Sequence, residues 1–459
     1  MDRALMNLIR KYDVSGPRYT SYPPAPLFSH DFDAADYKEA ILTREANAPS
    51  GDFSLYVHLP FCDTLCYFCG CTTFVTKNHE HIDQYVRYLK KEIALLSQQL
   101  GDNRKLVQLH WGGGTPTYLK PSQIEEVGSA IRHSFSIDPN AEMSVEVDPR
   151  GLTYTHLKTL RDLGFNRISL GVQDFDAKVQ YAINRNQSEF ITLQAIDWSR
   201  RLKFQSLNID LIYGLPMQSV KSFANALEKV IDISPDRIAV YNFAYVPWIK
   251  KHQKLISPDD LPSAETKLEL LMTATETLTA AGYVYIGMDH FAKPTDDLTL
   301  AQKSRTLHRN FQGYSTKGGA DLYGLGLSSI GHFGSVYAQN AKTLNEYYEA
   351  IDKGNFATCA GYRMTEDDEI RKFVIMRIMC HLVLDKNEVE GLFKINFDEY
   401  FSESLSKLVP LIHDGLLVAS SNELKVTDAG RMFLRNIAMA FDAYLAKKDA
   451  HHVTYSRTV

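Results

Sequence analysis

Short apolar runs alternate with longer amphipathic stretches between about residue 53 and residue 290. Six of these runs are rich in β-branched and aromatic residues and end at a Gly- or Pro-bearing turn or a polar break, which is typical of β-strands. The predicted strands are Phe53–Leu59, Val107–Trp111, Met143–Val147, Arg167–Val172, Leu207–Ile212 and Ile238–Phe243. Between them, apolar residues recur at spacings of three and four, which predicts helices; the first helix carries Ile82, Tyr85, Leu89, Ile93 and Leu96.

Six such strand–helix units predict an α/β fold around a parallel sheet, a partial TIM-like (β/α)6 barrel. In that architecture the chemistry takes place at the carboxyl ends of the strands. We assign residues 51–290 to this barrel and residues 1–50 to an N-terminal extension that forms part of a substrate lid. Residues 291–364, which are polar and then rich in Gly and Ser, are predicted to be a connecting segment that reaches the active site.

Residues 365–459 are predicted to form a mostly helical C-terminal domain. Within it, residues 405–434 have the pattern of helix, turn, short strand, turn, short strand and helix, which resembles a winged-helix unit. Winged helices commonly bind DNA, but this segment has no basic run. A packing or lid role is therefore at least as well supported.

The composition, 44% hydrophobic and 23% charged residues, is that of a globular protein and excludes collagen-like, coiled-coil and disordered chains. A net charge of −5 argues against a sequence-independent nucleic-acid binder or a protein of anionic membrane surfaces. The first residues, MDRALMNLIRKYD, contain no apolar core of a signal peptide, and the chain has no run of 18 apolar residues. We expect a cytoplasmic protein without a membrane span and without a nucleic-acid partner.

Four of the six cysteines fall within ten consecutive positions, namely Cys62, Cys66, Cys69 and Cys71, whereas Cys359 and Cys380 stand alone and are expected to be buried thiols. In a reducing compartment such a group indicates a metal site or a catalytic site rather than disulfides. The C-x3-C-x2-C spacing allows three thiolates to bind three irons of a [4Fe–4S] cluster and leaves one iron open. The alternative is a zinc site with a fourth thiolate, but such sites generally use two separated pairs. The spacing favours the cluster.

This cysteine spacing after a first strand, with Phe68 just before the third cysteine, resembles the radical S-adenosylmethionine (SAM) superfamily. The second predicted strand ends in WGGGTPTYL, which is similar to the superfamily motif that holds the methionine amine. A glycine triplet alone is a weak sign, since many turns require glycine. Following a three-cysteine loop by one strand–helix unit, it is specific. The resemblance implies that the open iron binds SAM and that an electron from the cluster cleaves it to a 5′-deoxyadenosyl radical.

The sequence resembles one family within this superfamily more closely than it resembles the superfamily as a whole. Segments from about residue 16 to the C-terminus resemble, in order, those of oxygen-independent coproporphyrinogen III oxidases; they include SGPRYTSYPP, YVHLPFCDTLCYFCGC, VEVDPRGL, RISLGVQDF, NIDLIYGLP, GMDHFA and LHRNFQGYSTKGG. The resemblance implies a radical SAM oxidoreductase of haem biosynthesis. It would decarboxylate two propionates of coproporphyrinogen III to vinyl groups, giving protoporphyrinogen IX, and would use two SAM molecules. A flavodoxin- or ferredoxin-like reductant and a monomeric state are also expected.

The same resemblance assigns residues to roles. Cys62, Cys66 and Cys69 are the expected cluster ligands. The residues expected to contact the first SAM are Tyr56, Phe68, Gly113 and Glu146. Those expected to contact the second are Gly114, Thr115, Gln173, Arg185 and Asp210. Ala244 and Ile330 are carried over as backbone or apolar contacts.

Tyr56, Glu146 and Cys71 are also expected to support catalysis. Cys71 corresponds to an accessory cysteine of the family, with a small buried thiol as the equally plausible alternative. For Tyr56 the alternative is a core position, because a tyrosine on a strand is more often part of a core. For Arg185 and Asp210, a surface ion pair is the alternative.

A tetrapyrrole with four carboxylates requires basic partners, and Arg18, Arg309 and Lys317 are candidates, with Gln312 as a neutral donor. The alternative is that these side chains are merely solvated.

Two other functions stay open on the residues alone. A haem-binding chaperone of the same fold typically lacks the counterparts of Cys71 and of the segment from Pro17 to Pro23, both of which are present. A zinc-stabilised regulatory protein that uses the winged-helix-like tail is the less favoured reading.

Overall fold

The computed structural model describes residues 3–49, 51–445 and 455–458. The chain forms two compact units. Residues 29–283 and 319–362 make up the first, called the barrel unit below. The second unit contains the described residues of 1–28, 284–318 and 363–459.

One large sheet forms the centre of the barrel unit. Its strands are β1 (Phe53–Leu59), β2 (Leu106–Gly113), β3 (Ile137–Val147), β4 (Arg167–Gln173), β5 (Ser206–Tyr213), β6 (Arg237–Asn242), β7 (Asp321–Leu325), β8 (Ile330–Phe333), β9 (Val336–Asn340) and β10 (Thr358–Arg363). They lie in the order β10-β9-β8-β7-β1-β2-β3-β4-β5-β6. From β7 to β6 all neighbours pair in parallel. This open parallel arrangement confirms the predicted partial barrel.

All six predicted strands are present, and their ends differ from the predicted ends by at most two residues except in β3. That strand begins at Ile137, well before the predicted Met143. Its pairing with β2 shifts register, because Ile137 lies opposite Leu106 whereas Glu142 lies opposite Gln108. The polar start of β3 interrupts the apolar pattern, and the sequence therefore did not predict it.

Helices connect the strands on the outer side. In the barrel unit they are Ala34–Asn47, His79–Ser97, Pro121–Ser134, Tyr154–Asp162, Ala177–Ala182, Glu189–Arg201, Val220–Ile233, Ala264–Ala280 and Leu344–Asp352. The predicted apolar stripe from Ile82 to Leu96 is buried on the second of these helices. Asn78 caps that helix by accepting a hydrogen bond from the backbone N–H of Glu80, 3.0 Å away.

Alternate residues of the strands differ in burial and polarity. In β1, Leu55, Val57 and Leu59 are fully buried, and the residues between them include the half-buried Tyr56. β4 alternates half-buried and buried residues along its whole length. Hydrogen bonds link the half-buried polar residues of neighbouring strands, as between His110 and the Ser144 hydroxyl at 2.6 Å. The parallel strands therefore pack one apolar face under the helices and present a polar face to the interior.

Strands β7 to β10 add to the sheet beyond β1, in the segment that the sequence indicated as a connection. β7 pairs in parallel with β1, and β8 is antiparallel to both β7 and β9. Glycine explains why no strand pattern was visible here. A Cβ at Gly324 would lie 2.9 Å from the carbonyl carbon of Ile330, so only glycine allows β7 and β8 to approach each other.

The second unit is mainly helical, with helices Arg3–Tyr12, Asp297–Lys303, Glu366–His381, Lys386–Phe393, Phe397–Tyr400, Ser402–His413 and Leu434–Met439. Strands Val284–Gly287 and His290–Ala292 pair antiparallel, as do His308–Asn310 and Gly313–Ser315. A third sheet has the order Val383–Asp385, Glu423–Val426, Leu417–Ala419. This confirms the predicted winged-helix-like arrangement. None of the helices in the described residues is both long and apolar enough to cross a membrane.

Candidate active site

The cysteine-rich loop begins where β1 ends, at the carboxyl edge of the parallel sheet. Phe61–Cys62 pairs in parallel with Phe74–Val75, and this short ladder closes the loop. Inside it, the Cys69 N–H donates to the Cys66 carbonyl over 3.1 Å. The three predicted cluster ligands are thus held on one tight loop at the edge where parallel barrels carry their chemistry.

Two guanidinium groups lie against the Cys66 thiol. The Arg150 Nη2 is 3.2 Å and the Arg185 Nη1 is 3.6 Å from the Cys66 Sγ. Both arginines also bind the Asp148 carboxylate, at 2.7 Å and 3.0 Å. Burial raises the pKa of Asp148, but the Arg185 and Arg150 charges outweigh it, so the pKa is lowered. The two arginines and Asp148 therefore surround the Cys66 side chain and fix its position.

The other two thiols have different surroundings. The Cys62 Sγ is 3.4 Å from the Thr115 Oγ1, and burial raises the pKa of Cys62 to about 12. The thiol of the exposed Cys71 hydrogen-bonds to Cys69, and this bond lowers the pKa of Cys69. A cavity of about 380 Å³ borders Cys62, Thr115 and Arg150. Cys380 is buried as expected, whereas Cys359 is only partly buried.

The donor set fits an iron–sulfur cluster. Cys62, Cys66 and Cys69 stand on one loop, which the bond between the Cys69 N–H and the Cys66 carbonyl tightens. Each thiolate can bind a different iron of a cubane cluster, which leaves one iron without a cysteine ligand.

The glycine triplet after β2 is required by close contacts. A Cβ at Gly112 would lie 2.9 Å from the Glu146 carboxyl carbon, and one at Gly113 would lie 2.6 Å from the His58 ring. Gly113 also has a φ of +111°, which favours glycine. At Gly114 a Cβ would meet backbone atoms of Pro60 at 2.6 Å. The triplet thus packs directly against the start of the cysteine loop.

Backbone N–H groups of this turn donate to protein acceptors. Gly113 donates to Glu146 Oε2 at 3.0 Å, and Gly114 donates to the Leu59 carbonyl at 2.8 Å. Thr115 donates to the Phe61 carbonyl at 2.8 Å. These bonds fix the turn relative to both neighbouring strands.

Tyr56 and Glu146 lie on the polar face of the sheet with two histidines. The Tyr56 hydroxyl is 3.0 Å from His58 Nδ1, and its ring stacks on His110 with centroids 5.9 Å apart. Glu146 reaches His110 Nε2 at 3.5 Å, and its side chain is 44% exposed although it projects from a central strand. Burial raises the pKa of Glu146, but the His110 hydrogen bond and further donors outweigh it, so the pKa is lowered. An accessible carboxylate in the interior can accept hydrogen bonds from a ligand.

Gln173, Arg185 and Asp210 meet around Gly171. A Cβ at Gly171 would lie 2.9 Å from the Gln173 amide nitrogen and 3.0 Å from the Arg185 Nη2, and Asp210 is its register partner on β5. Asp210 accepts from the Ser169 hydroxyl at 2.8 Å, and burial raises its pKa to about 6.

The surface ion pair considered for Arg185 and Asp210 is absent from the described residues. The Arg185 side chain is 6% exposed, and its carboxylate partner is Asp148. Its Nε is buried and without a hydrogen-bond partner in the described chain. Arg185 is therefore an interior group that retains a hydrogen bond to donate.

Phe68, Ala244 and Ile330 also lie near this edge. Gln253 is 1% exposed, and its amide donates to the Phe68 carbonyl at 3.3 Å and to the Ala244 carbonyl at 3.1 Å. The Ile330 backbone packs against Gly324, which is the register partner of Tyr56. The sheet thus brings together side chains from six strands and their loops.

Several polar residues of this region were not predicted from the sequence. Asp148 and Arg150 stand in the quoted segment VEVDPRGL but were not singled out, although a charged pair directly after a strand is a usable signal. His252 Nε2 bonds the Cys69 carbonyl at 2.8 Å, and Lys250 Nζ donates to the Cys71 carbonyl at 3.0 Å. Nothing in the sequence pattern indicated that the segment with Gln253 holds the cysteine loop.

The four candidates for substrate carboxylates belong to the second unit. Arg18 pairs with the Asp289 carboxylate. Arg309 is buried, whereas Gln312 and Lys317 are half-buried. The alternative that these side chains are merely solvated is therefore wrong for Arg309, which is buried.

Comparison with known protein families agrees with this geometry. Residues 56–230 match the model of the radical SAM superfamily, and residues 364–433 match that of the HemN C-terminal domain. The oxygen-independent coproporphyrinogen III oxidase of Salmonella typhimurium is 47% identical over 452 residues, 98% of each chain. The enzyme of the same name from Synechocystis is 45% identical over 456 residues, 98% of this chain and 97% of its own.

A solved structure agrees over nearly the whole chain. It is described as coproporphyrinogen III oxidase (HemN) from Escherichia coli, a radical SAM enzyme, and matches with a TM-score of 0.91 at 44% identity. The match covers 96% of this chain and 98% of the other. The chain belongs to the family of oxygen-independent coproporphyrinogen III oxidases.

Proposed function

We propose that the carboxyl edge of β1 to β5 is where this chain decarboxylates coproporphyrinogen III to protoporphyrinogen IX. Its family identifies it as a radical SAM oxidoreductase with a [4Fe–4S] cluster and SAM as cofactors. The observation that carries the location is the three-cysteine loop, packed against the glycine triplet and the Asp148, Arg150 and Arg185 group. When bound, the cluster supplies the electron that cleaves SAM to the radical that removes a hydrogen atom from the propionate.

Each propionate loses one hydrogen atom, one CO2 and one electron and so becomes a vinyl group. SAM, when bound, would supply the acceptor of the hydrogen atom, and the electron would pass to an external acceptor. The chain's contribution is to hold the reacting carbon near that radical and to exclude water. The strands present half-buried polar residues to the interior and bury apolar residues on their other face, and this arrangement can exclude water.

The cluster ligands in this proposal are Cys62, Cys66 and Cys69, and the guanidinium groups of Arg150 and Arg185 hold the Cys66 side chain in place. Cys71 acts as an accessory, because its thiol hydrogen-bonds to Cys69 and its carbonyl accepts from Lys250. A displaced Cys71 would leave Cys69 less well oriented.

Two SAM molecules are assigned to this edge. Tyr56, Phe68, Gly113 and Glu146 are proposed to contact the first, and Ala244 and Ile330 are proposed to provide backbone or apolar contacts to SAM. Gly114, Thr115, Gln173, Arg185 and Asp210 are proposed to contact the second. The Arg185 Nε without a partner, together with the Asp210 carboxylate across the sheet, suits a ligand with both an acid and an amine.

The reductant is proposed to be an acidic, flavodoxin- or ferredoxin-like protein. In the segment that holds the cysteine loop, Trp248 is 61%, Ile249 60% and Leu255 62% exposed, and Lys251 and Lys254 are exposed beside them. An apolar and basic surface next to the cluster ligands fits an acidic electron carrier. A cytoplasmic monomer is proposed as well. The proposed division remains a lid extension (1–50), a barrel (51–290), an active-site connection (291–364) and a helical domain (365–459).

An anaerobic turnover assay tests the function. Reconstituted protein is mixed with reductant, SAM and coproporphyrinogen III, and the products are separated by chromatography. Protoporphyrinogen IX, methionine and 5′-deoxyadenosine are expected, with Cys359→Ala as an active control. Tight haem binding without turnover would instead support the chaperone function, and zinc without inorganic sulfide would support the regulatory protein.

A further inference from the structure

His110 lies at the centre of the polar face of the parallel sheet. It stands on β2, and its register partners are Tyr56 on β1 and Ser144 on β3. Residues that are two positions apart on a strand point to the same face, so Glu146 joins Ser144 on this face. The side chain of His110 is 19% exposed and that of Glu146 is 44% exposed. His110 is therefore an interior residue directly beside the accessible carboxylate of the candidate site.

Hydrogen bonds and ring packing fix the His110 imidazole. Its Nδ1 lies 2.6 Å from the Ser144 Oγ, and its Nε2 lies 3.5 Å from the Glu146 Oε1. A carboxylate only accepts hydrogen bonds, so in the neutral ring Nε2 carries the proton and Nδ1 accepts from the Ser144 hydroxyl. The ring also stacks on Tyr56, with the two planes 15° apart. The imidazole thus has one orientation, with its N–H aimed at Glu146.

Each oxygen of the Glu146 carboxylate meets one donor. His110 Nε2 faces Oε1, and the Gly113 N–H donates to Oε2 at 3.0 Å. The terminal torsion of a glutamate is broad, so a single donor would not fix the plane of the carboxylate. Two donors on separate oxygens do fix it, and each oxygen keeps a lone pair for a ligand. Burial alone would raise the pKa of Glu146, and the His110 hydrogen bond is the largest contribution that lowers it.

The two hydrogen-bond partners of His110 have alternatives within the fold. The Ser144 hydroxyl can turn to the Leu109 carbonyl, 3.5 Å away. Glu146 keeps the Gly113 N–H, and its side chain is accessible to water. Loss of His110 would therefore cost the fold little but would release the carboxylate from its fixed orientation. A contact of this kind is typical of residues that support a binding site.

We propose that His110 is a positioning residue that orients the Glu146 carboxylate for SAM. This inference rests on the proposed function, which assigns Glu146 to the first SAM molecule. A carboxylate that is already held in place loses little conformational freedom when a ligand binds, and this increases affinity. His110 acts through Glu146, so its removal should weaken SAM binding without changing the cluster.

His110→Phe tests the proposal on the reconstituted protein, because phenylalanine keeps a ring against Tyr56 but removes both hydrogen bonds. Titration of the change that SAM causes in the electron paramagnetic resonance signal measures the Kd for SAM, which should rise roughly tenfold. His110→Gln, whose amide can donate to Glu146, should stay within about threefold of wild type. Iron and sulfide content, and the midpoint of urea unfolding of the protein without its cluster, should be unchanged. His133→Phe, the same change at an exposed helix position, is the matched control.

A double-mutant cycle with Glu146→Gln shows whether His110 acts through Glu146. In that background, adding His110→Phe should raise the Kd for SAM by less than about threefold, because the carboxylate that it orients is gone. The same tenfold step in both backgrounds would overturn the proposal, as would an unchanged Kd in His110→Phe alone. A large fall in the midpoint of urea unfolding in His110→Phe would assign His110 to the fold instead. A wild-type signal that SAM leaves unaltered would contradict the proposed function itself, and this inference with it.

Discussion

The two ends of the parallel sheet both carry a buried arginine, but they treat it differently. At the amino end, the Arg104 side chain is 0% exposed and donates from Nε to the Gly51 carbonyl at 2.7 Å. Its two other nitrogens bind carboxylates, Nη2 that of Asp321 at 2.5 Å. At the carboxyl end, the Arg185 Nε has no partner in the described chain, and the Glu146 side chain is 44% exposed.

This difference indicates that the two ends of the sheet contribute to different properties, one to the stability of the fold and the other to ligand binding. A fully satisfied buried network fixes the positions of β1, β2 and β7 and offers nothing to a ligand. Unsatisfied donors and accessible carboxylates weaken the fold locally but provide the contacts that a cofactor needs. The amino end therefore holds the barrel together, and the carboxyl end is where we propose that the reaction takes place.

Cys66→Ala should produce the largest effect, a complete loss of turnover and of iron and sulfide after anaerobic reconstitution. The remaining two thiolates cannot hold a cluster that needs three. Iron and sulfide analysis with the turnover assay measures this, and Cys359→Ala should behave as wild type. Normal iron content in Cys66→Ala would remove Cys66 from the ligand set.

Arg104→Ala should destabilise the fold by about 3–5 kcal/mol, because it removes a fully buried guanidinium that pairs with Glu45 and Asp321, although Asp321 keeps its pair with Arg44. Urea unfolding measures the change. Lys90→Ala, which breaks an exposed pair with Glu126, should cost about 0–1 kcal/mol. Folded Arg104→Ala should keep its KM for SAM, and an increase in that KM would contradict the division between the two ends.

Glu92→Gln should change the pH dependence of stability. Glu92 is 1% exposed and accepts hydrogen bonds from the Gly326 N–H at 2.6 Å and from Tyr347 at 2.7 Å. Burial outweighs these bonds and raises the pKa of Glu92 from 4.5 to about 7. The folded protein therefore binds the proton more tightly than the unfolded chain does, so Glu92 contributes a loss of stability as pH rises from 4.5 to about 7.

The loss amounts to about 3 kcal/mol at most. It should disappear from the pH profile of urea unfolding in Glu92→Gln, whereas Glu126→Gln, at an exposed site, should keep it. An identical pH profile in Glu92→Gln and wild type would show that Glu92 titrates normally.

Arg185→Gln should have the smallest effect, a roughly tenfold increase in the KM for SAM, worth about 1.4 kcal/mol. Glutamine still donates one hydrogen bond but loses the charge, while Arg150 continues to pair with Asp148. Iron content should stay normal, and Arg201→Gln on an exposed helix face should match wild type. An unchanged KM for SAM in Arg185→Gln would exclude it from the site.

The sequence predicted the parts of the fold that follow a simple period. The six parallel strands and the helix with Ile82 and Leu96 alternate or repeat regularly, and the structure confirms them. Strands β7 to β10 were not predicted, because glycines such as Gly324 replace the side chains that would show a strand pattern. Arg104 and Asp321 are 217 positions apart, and a contact over that distance has no local signal.

The site was predictable where its residues are adjacent in sequence. The spacing of Cys62, Cys66 and Cys69 and the glycine triplet gave the chemistry. The partners of these residues come from distant segments, as Gln253 does for Phe68. The sequence indicated Arg18 and Arg309 as basic candidates, but the burial of Arg309 and the pairing of Arg18 with Asp289 are visible only in the structure.

Electron paramagnetic resonance of the reduced, reconstituted protein, recorded with and without SAM, tests for an open iron at the carboxyl edge of the sheet. We expect four iron and four sulfide per chain and a signal that changes when SAM is added, because the iron without a cysteine ligand would bind it. In Cys66→Ala both the signal and the change should be absent. A full cluster signal that SAM leaves unaltered would contradict an open iron at the carboxyl edge of the sheet.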